Sequence, residues 1–199
     1  MFIELTDHLR CPAAHAEQFL VLVPDVIEAR SVQRGVLGCP VCDAEYRIED
    51  GVVQFDTAIA GIDAPAPLAL PSALTADAVR ALLGIEGPGG YVVFVGDPGR
   101  LAAEDEAAYA GIGAVLINAP GTIVGSGPRV SLLRASRIPL KARSVRGVVL
   151  GAPYGEQPDW IAEAQRVLLP GRHLVGQGAV PSAPGLTLLA SADGWWVGV

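Results

Sequence analysis

The stretch YVVFVGDPGR, residues 91–100, decides the fold of this chain. Five apolar residues, Tyr91 to Val95, run without a polar break and then turn through Gly96-Asp97-Pro98-Gly99. A continuous apolar run suits a strand buried on both faces. A glycine turn straight after it is how such a strand passes its chain to a helix beside a nucleotide or cofactor. The segments around it keep alternating. LTADAVRALL (74–83), with Thr75 as N-cap, predicts a helix, and LAAEDEAAYA (101–110) a second. GAVLIN (113–118), RVSLL (129–133), RGVVLG (146–151) and RHLVGQ (172–177) read as further strands, with the helix PDWIAEAQRVLL (158–169) before the last. LTLLAS and GWWVGV, split by Ala192-Asp193-Gly194, predict a closing hairpin.

The expected architecture is therefore α/β: a Rossmann-like, mostly parallel sheet with an antiparallel C-terminal hairpin. Helices are too few for it. APGTIVGSGP (119–128) and GAVPSAPG (178–185) are rich in glycine and proline and predict none, so part of the sheet must be covered by something else. The candidates are the N-terminal residues, a second copy, or a partner protein. Trp195 and Trp196 are adjacent, which puts one ring in the core and offers the other as an exposed contact.

Composition shifts in TAIAGIDAPAPLALPSAL (57–74), where three prolines among small residues predict an extended linker. The expected organisation is a β-rich module over 1–56, that linker, and the α/β module over 75–199. The first module holds all three cysteines and two of the three histidines. Its FLVLVP (19–24) and VIEARSVQ (26–33) suit short strands, and Asp50-Gly51 between apolar-alternating segments predicts a hairpin. Cys11, His15, Cys39 and Cys42 form a C-x3-H…C-x2-C pattern, the ligand set of a closed structural zinc site. His8 could stand in for His15. A redox role is disfavoured because no helix N-terminus follows Cys42 to acidify a thiol. His173, inside a strand pattern, reads as a structural residue.

Net charge is −7, which argues against a general nucleic-acid binder. Yet Arg129, Arg134, Arg137, Lys141, Arg143 and Arg146 fall within eighteen residues that hold no acid. That strip is either a solvated face or a docking surface for phosphate, RNA or an acidic partner. No apolar run approaches the roughly 18–20 residues that cross a bilayer. The opening MFIELTDHLRC carries no export-signal pattern, so a cytoplasmic protein without membrane contact is expected.

GVLGCPVCDAEYRIEDGVVQF (35–55) resembles the small zinc-ribbon family that activates RNA and protein methyltransferases, through Cys39-x2-Cys42, Tyr46, Ile48 and Asp50-Gly51. The second module resembles a class I S-adenosylmethionine (SAM)-dependent methyltransferase. ASRIPLKARSVRGVVLGAP (135–153) matches that family's Leu-Pro turn and following strand, and Arg166 to Gly171 its Arg-Val-Leu-x-Pro-Gly helix end. The resemblance implies a cofactor held by Gly96, Asp97, Gly99 and Asn118. The chain departs from the family at those very places. Phe94 stands where an acid is usual, Pro98 interrupts the glycine loop, Asn118 replaces the ribose-binding acid, and Ser136 or Arg137 the acid facing adenine. No catalytic constellation emerges. A degenerate methyltransferase-like scaffold that works with a protein partner or a second copy is the leading expectation. The alternatives are an active SAM-dependent enzyme on RNA, with the basic strip on phosphates, and an activator that holds a separate catalytic chain.

Overall fold

A computed structural model of the 199-residue chain describes residues 1–56, 74–104, 109–121 and 129–199. All but one residue of the expected linker, and residues 122–128 of APGTIVGSGP, lie outside the described residues. The same is true of residues 105–108 of the helix expected over 101–110, whose last two residues, 109 and 110, form a turn.

The N-terminal residues form two consecutive hairpins, β1 (Val21–Glu28) with β2 (Ser31–Gly38) and β3 (Glu45–Glu49) with β4 (Val52–Gln54). The second turns at Asp50 and Gly51, both at positive φ as a two-residue turn requires. The first differs from expectation. VIEARSVQ is not one strand but a tight turn at Ala29 and Arg30, φ 45° and 69°. Neither residue favours that conformation, so propensity could not reveal it.

The rest follows the alternation: α1 (Ala76–Leu82), β5 (Tyr91–Val95), α2 (Gly99–Glu104), β6 (Gly113–Ile117), β7 (Val130–Arg134), β8 (Gly147–Leu150), α3 (Pro158–Val167), β9 (Leu174–Gln177), β10 (Leu188–Ala192) and β11 (Trp195–Gly198). Thr75 caps α1, its Oγ1 accepting from the Ala78 N–H at 3.1 Å. α2 begins at Gly99, two residues earlier than the apolar pattern places it.

Among the described residues eleven strands share one sheet, in the order β1-β2-β3-β4-β7-β6-β5-β8-β9-β11-β10. From β4 to β9 neighbouring strands are parallel, and β11 runs antiparallel to both β9 and β10. The parallel sheet with its antiparallel C-terminal hairpin is thus as expected. The sequence did not reveal the join: β4 lies parallel to β7, pairing Val52 with Leu132 and Gln54 with Arg134, so the two halves share one sheet.

One face of the sheet is covered by α3 and by the chain's first residues. Leu5 and Leu9 are fully buried in the same cluster as Val93, Val95, Ile117, Leu133, Ile161 and Trp196. α1 and α2 cover the other face, over Val92, Phe94, Leu116 and Trp195. Of the covers considered for a sheet short of helices, the N-terminal half is therefore one. Both tryptophans are buried, Trp195 in one cluster and Trp196 in the other, which corrects the expectation of an exposed ring. No helix among the described residues is long and apolar enough to cross a membrane.

A second seam reinforces the β4–β7 join. Leu9 bridges Leu140, the Arg10 N–H donates to Pro139 O, and the Lys141 N–H donates to His8 O. Around it sits an ionic network. Arg137 donates to Pro12 O and to Glu163, and Arg166 donates to Glu163 and to the carbonyls of Ile138 and Leu140. Burial opposes ionisation of Glu163, but the two guanidiniums outweigh it and hold its carboxyl below the ordinary range. A depressed folded pKa contributes stability that is complete above the unfolded pKa and is lost as pH falls through the folded one. Glu163→Gln should therefore cost about 1–2 kcal/mol at neutral pH and flatten the acid limb of the stability profile, read by urea titration from pH 7 to 3.

Candidate metal centre and cofactor crevice

The segment before β1 and the β2–β3 turn converge on one point. The ligand atoms of Cys11, His15, Cys39 and Cys42 all lie within 4.8 Å of one another. A tetrahedral zinc with Zn–S near 2.3 Å and Zn–N near 2.0–2.1 Å needs S···S edges of about 3.8 Å and S···N edges of about 3.5 Å. Cys11 Sγ lies 3.7 Å from Cys42 Sγ, and Cys39 Sγ lies 3.5 Å from His15 Nε2. The group has the dimensions of a zinc site.

Its electrostatics agree. Burial works against a thiolate at Cys39, yet the backbone N–H groups of Cys42 and Val41 directed at its sulfur pull the thiol down to about 6. His15 Nδ1 sits 2.7 Å from Ala16 O, a contact it can make only as donor, which leaves the Nε2 lone pair facing the sulfurs. The tyrosine of the CPVC segment completes the surroundings: the Tyr46 hydroxyl is 3.3 Å from Cys11 Sγ, and its ring packs on Phe55 with centroids 4.8 Å apart. Sequence reading singled out Tyr46 only as part of a resemblance; its contact with a ligand sulfur shows in three dimensions alone. His8 lies elsewhere, edge-on to Tyr91 at 4.7 Å, and is outside the group.

The other candidate site lies at the carboxyl ends of the parallel strands. The order reverses between β5 and β8, the point where an open α/β sheet takes its ligands. Gly96, at φ 76°, makes the tight turn after β5, and a Cβ there would come within 2.9 Å of the Tyr154 ring. Pro98 packs so closely on Gly151 that the latter has no room for any side chain. A Cβ on Gly99 would meet that of Ala119 at 3.0 Å. These glycines make room for protein side chains. Tyr154 is itself braced edge-on against Trp160, with centroids 4.8 Å apart.

Asn118, at the end of β6, is 9% exposed and adopts φ 53°. Its Nδ2 donates to Ala135 O at 2.7 Å and its Oδ1 accepts from the Ala135 N–H at 3.0 Å. Both ends of the amide thus hold the β6 terminus to the residue after β7. Phe94, on the strand position where the family carries an acid, is fully buried and packs edge-on to Tyr109. The described residues do not offer SAM the two acidic acceptors its ribose and adenine would need, and Gly96, Pro98 and Gly99 of the loop are buried. Among the described residues, Asp97 is a loop group with hydrogen-bonding capacity left. Its Oδ2 is buried without a partner among the described residues, and desolvation pushes its carboxyl upward.

The basic strip is largely built into the fold. Arg146 donates to the carbonyls of Glu86, Gly87, Pro88 and Gly89, and Arg137 reaches Pro12 O and Glu163. Arg129 lies over Phe2, its guanidinium carbon 5.9 Å from the ring centre. Arg134 is half-buried at the end of β7, and Arg143 is exposed. His173 Nδ1 meets Leu82 O at 2.7 Å, a structural tie.

No family model matches the sequence, and no curated protein matches it. Among solved structures the chain is similar to a SAM-dependent methyltransferase from Aquifex aeolicus, at 14% identity and a TM-score of 0.47, over 71% of this chain and 95% of that one. It is also similar to the antibiotic-resistance methyltransferase Kmr, at 13% identity and a TM-score of 0.43, over 65% of this chain and 94% of that one. Likenesses this distant carry no activity across.

Proposed function

We propose that this protein is a methyltransferase-like scaffold, stabilised by a structural zinc in its N-terminal ribbon and working as a non-catalytic interaction subunit. The observation that carries this reading is the filled crevice. Tyr154 lies on Gly96, Pro98 on Gly151, and the Asn118 amide is bound at both ends to Ala135. A ligand entering there would displace packed side chains and break two buried hydrogen bonds before making any of its own, at about 1–3 kcal/mol for each group left unsatisfied.

Zinc would be held by Cys11, His15, Cys39 and Cys42, and its contribution is to fold stability. All four donors come from the protein, so no position remains for a substrate or an activated water. The internal engagement of Arg129, Arg137 and Arg146 favours a protein partner over RNA. In a filter-binding series from 50 to 200 mM salt, single-stranded RNA should bind no better than about 10–100 μM, without the steep salt slope of a dedicated phosphate surface.

One observation favours the second reading, an active SAM-dependent enzyme: the unpartnered Asp97 oxygen on the loop. The two readings part on S-adenosylhomocysteine, the demethylated cofactor, which an active site of this class would bind and a filled crevice would not.

A further inference from the structure

We propose that the groove between the zinc knuckle and the first hairpin docks an extended segment of a partner protein that carries both apolar and basic side chains. This deepens the scaffold reading by naming the surface and the chemistry of the partner, and it rests on that reading. The groove is lined by Val21 and Val23 of β1, Val36 and Gly38 of β2, and the Cys39–Pro40, Asp43 and Glu45 segment beyond. The register explains its shape. Val21 pairs with Gly38 and Val23 with Val36, so a valine floor runs beside a gap where Gly38 has no side chain. A Cβ built on Gly38 meets nothing within 4 Å.

The apolar surface is unusual for its place. β1 is one of the two edge strands of the sheet, and Val21 and Val23 are 48% and 60% exposed. Val41 on the knuckle and Phe19 just before β1 are 59% and 54% exposed. Edge strands are ordinarily blunted by charge or proline. Here Pro24 and the bulge that follows it limit pairing beyond Val23, and among the described residues no strand pairs with the outer edge of Val21 to Val23.

Charge selects the occupant. The groove wall carries two carboxylates, Asp43 and Glu45, and no basic residue among the described residues. Residues 1–56 hold ten acidic and four basic side chains, a net of −6 against −7 for the whole chain. Three of those four bases are paired, Arg10 with Glu17, Arg30 with Glu4 and Arg47 with Glu49. Two copies of this protein meeting groove to groove would set Asp43 and Glu45 against their own equivalents, so a second copy is the wrong occupant. Val21, Gly38 and Glu45 lie in one row on the same face, so a segment carrying both apolar and basic side chains can set the first on the valines and the second against the acids.

The test is an amide-shift titration of the zinc-loaded full chain with a capped eight-residue peptide alternating valine and lysine. A valine–glutamate peptide serves as control. The expected result is shifts centred on Val21, Val23, Val36 and Gly38, weakened by salt, with the control binding at least about tenfold more weakly. Gly38→Leu fills open space and should abolish the shifts while leaving the melting temperature unchanged. Glu45→Lys, on an exposed side chain, should reverse the preference between the two peptides. Equal binding of both peptides, shifts confined to other surfaces, or full binding by Gly38→Leu would overturn the proposal. So would shifts at the same amides on raising protein concentration alone, which would assign the groove to a second copy. The titration reads the groove and a cofactor titration reads the β5 loop, so either reading can fail without the other.

Discussion

Cys39→Ser should cost the protein its metal and much of its fold. Serine cannot supply a thiolate, and Cys39 is the thiol whose sulfur is held by the Val41 and Cys42 amides and faces His15 Nε2. Structural zinc in small modules contributes on the order of 10 kcal/mol to folding. Here the loss cannot stay local. The knuckle anchors β2 and β3, these carry β4, and β4 is hydrogen-bonded to β7 of the parallel sheet. Leu5, Leu9 and Leu37 lie in the same buried cluster as Val95, Ile117 and Leu133. The expected cost is therefore about 5 kcal/mol or more, a fall in melting temperature of roughly 10–20 °C for a chain of this size. Scanning calorimetry with parallel metal analysis would read both effects: one zinc per wild-type chain, none per variant, and a single broadened transition at lower temperature. Chelation of the wild type should reproduce the shift, and added zinc should reverse it. A variant that melts with the wild type would mean that the four residues sit close together without holding an ion.

Asn118→Asp should be the second most damaging change, although it restores an acid where the methyltransferase pattern has one. The amide donates to Ala135 O and accepts from the Ala135 N–H. A carboxylate keeps the second bond and turns the first into a buried contact between two acceptors. The expected cost at neutral pH is about 2–4 kcal/mol, or roughly 5–15 °C in melting temperature. The pH dependence identifies the cause. Burial and the facing carbonyl raise the new group's folded pKa above its unfolded value, so the penalty is full at neutral pH and shrinks as acid protonates the group and returns a donor. A penalty independent of pH would point to packing instead. A stable variant that gained affinity for S-adenosylhomocysteine would count against the scaffold reading.

Much of the α/β half was legible because its signals are local. The run Tyr91–Val95 is buried along its whole length, and Thr75 caps the helix its position suggested. The convergence of Cys11, His15, Cys39 and Cys42 was legible for a different reason: cysteine and histidine at those spacings have few other uses in a thin module. What stayed hidden depends on contacts between distant residues. β4 is three residues long, and nothing in Val52-Val53-Gln54 says that its outer edge meets Leu132, Leu133 and Arg134. The crevice is closed by Tyr154 and Pro98, whose partners Gly96 and Gly151 lie more than fifty residues away. Trp195 read as half of an in-and-out pair on a sheet with one bare face, but α1 and α2 cover that face as well. Asn118 looked like a lost acid, and its positive φ and double bond to Ala135 give it a positive structural role.

The most direct test is a calorimetric titration of the zinc-loaded protein with S-adenosylhomocysteine. A crevice filled by Tyr154 and Pro98 predicts no binding heat and no thermal shift up to millimolar ligand. Micromolar binding, weakened by Asp97→Asn, would contradict it and make the protein a cofactor-binding enzyme.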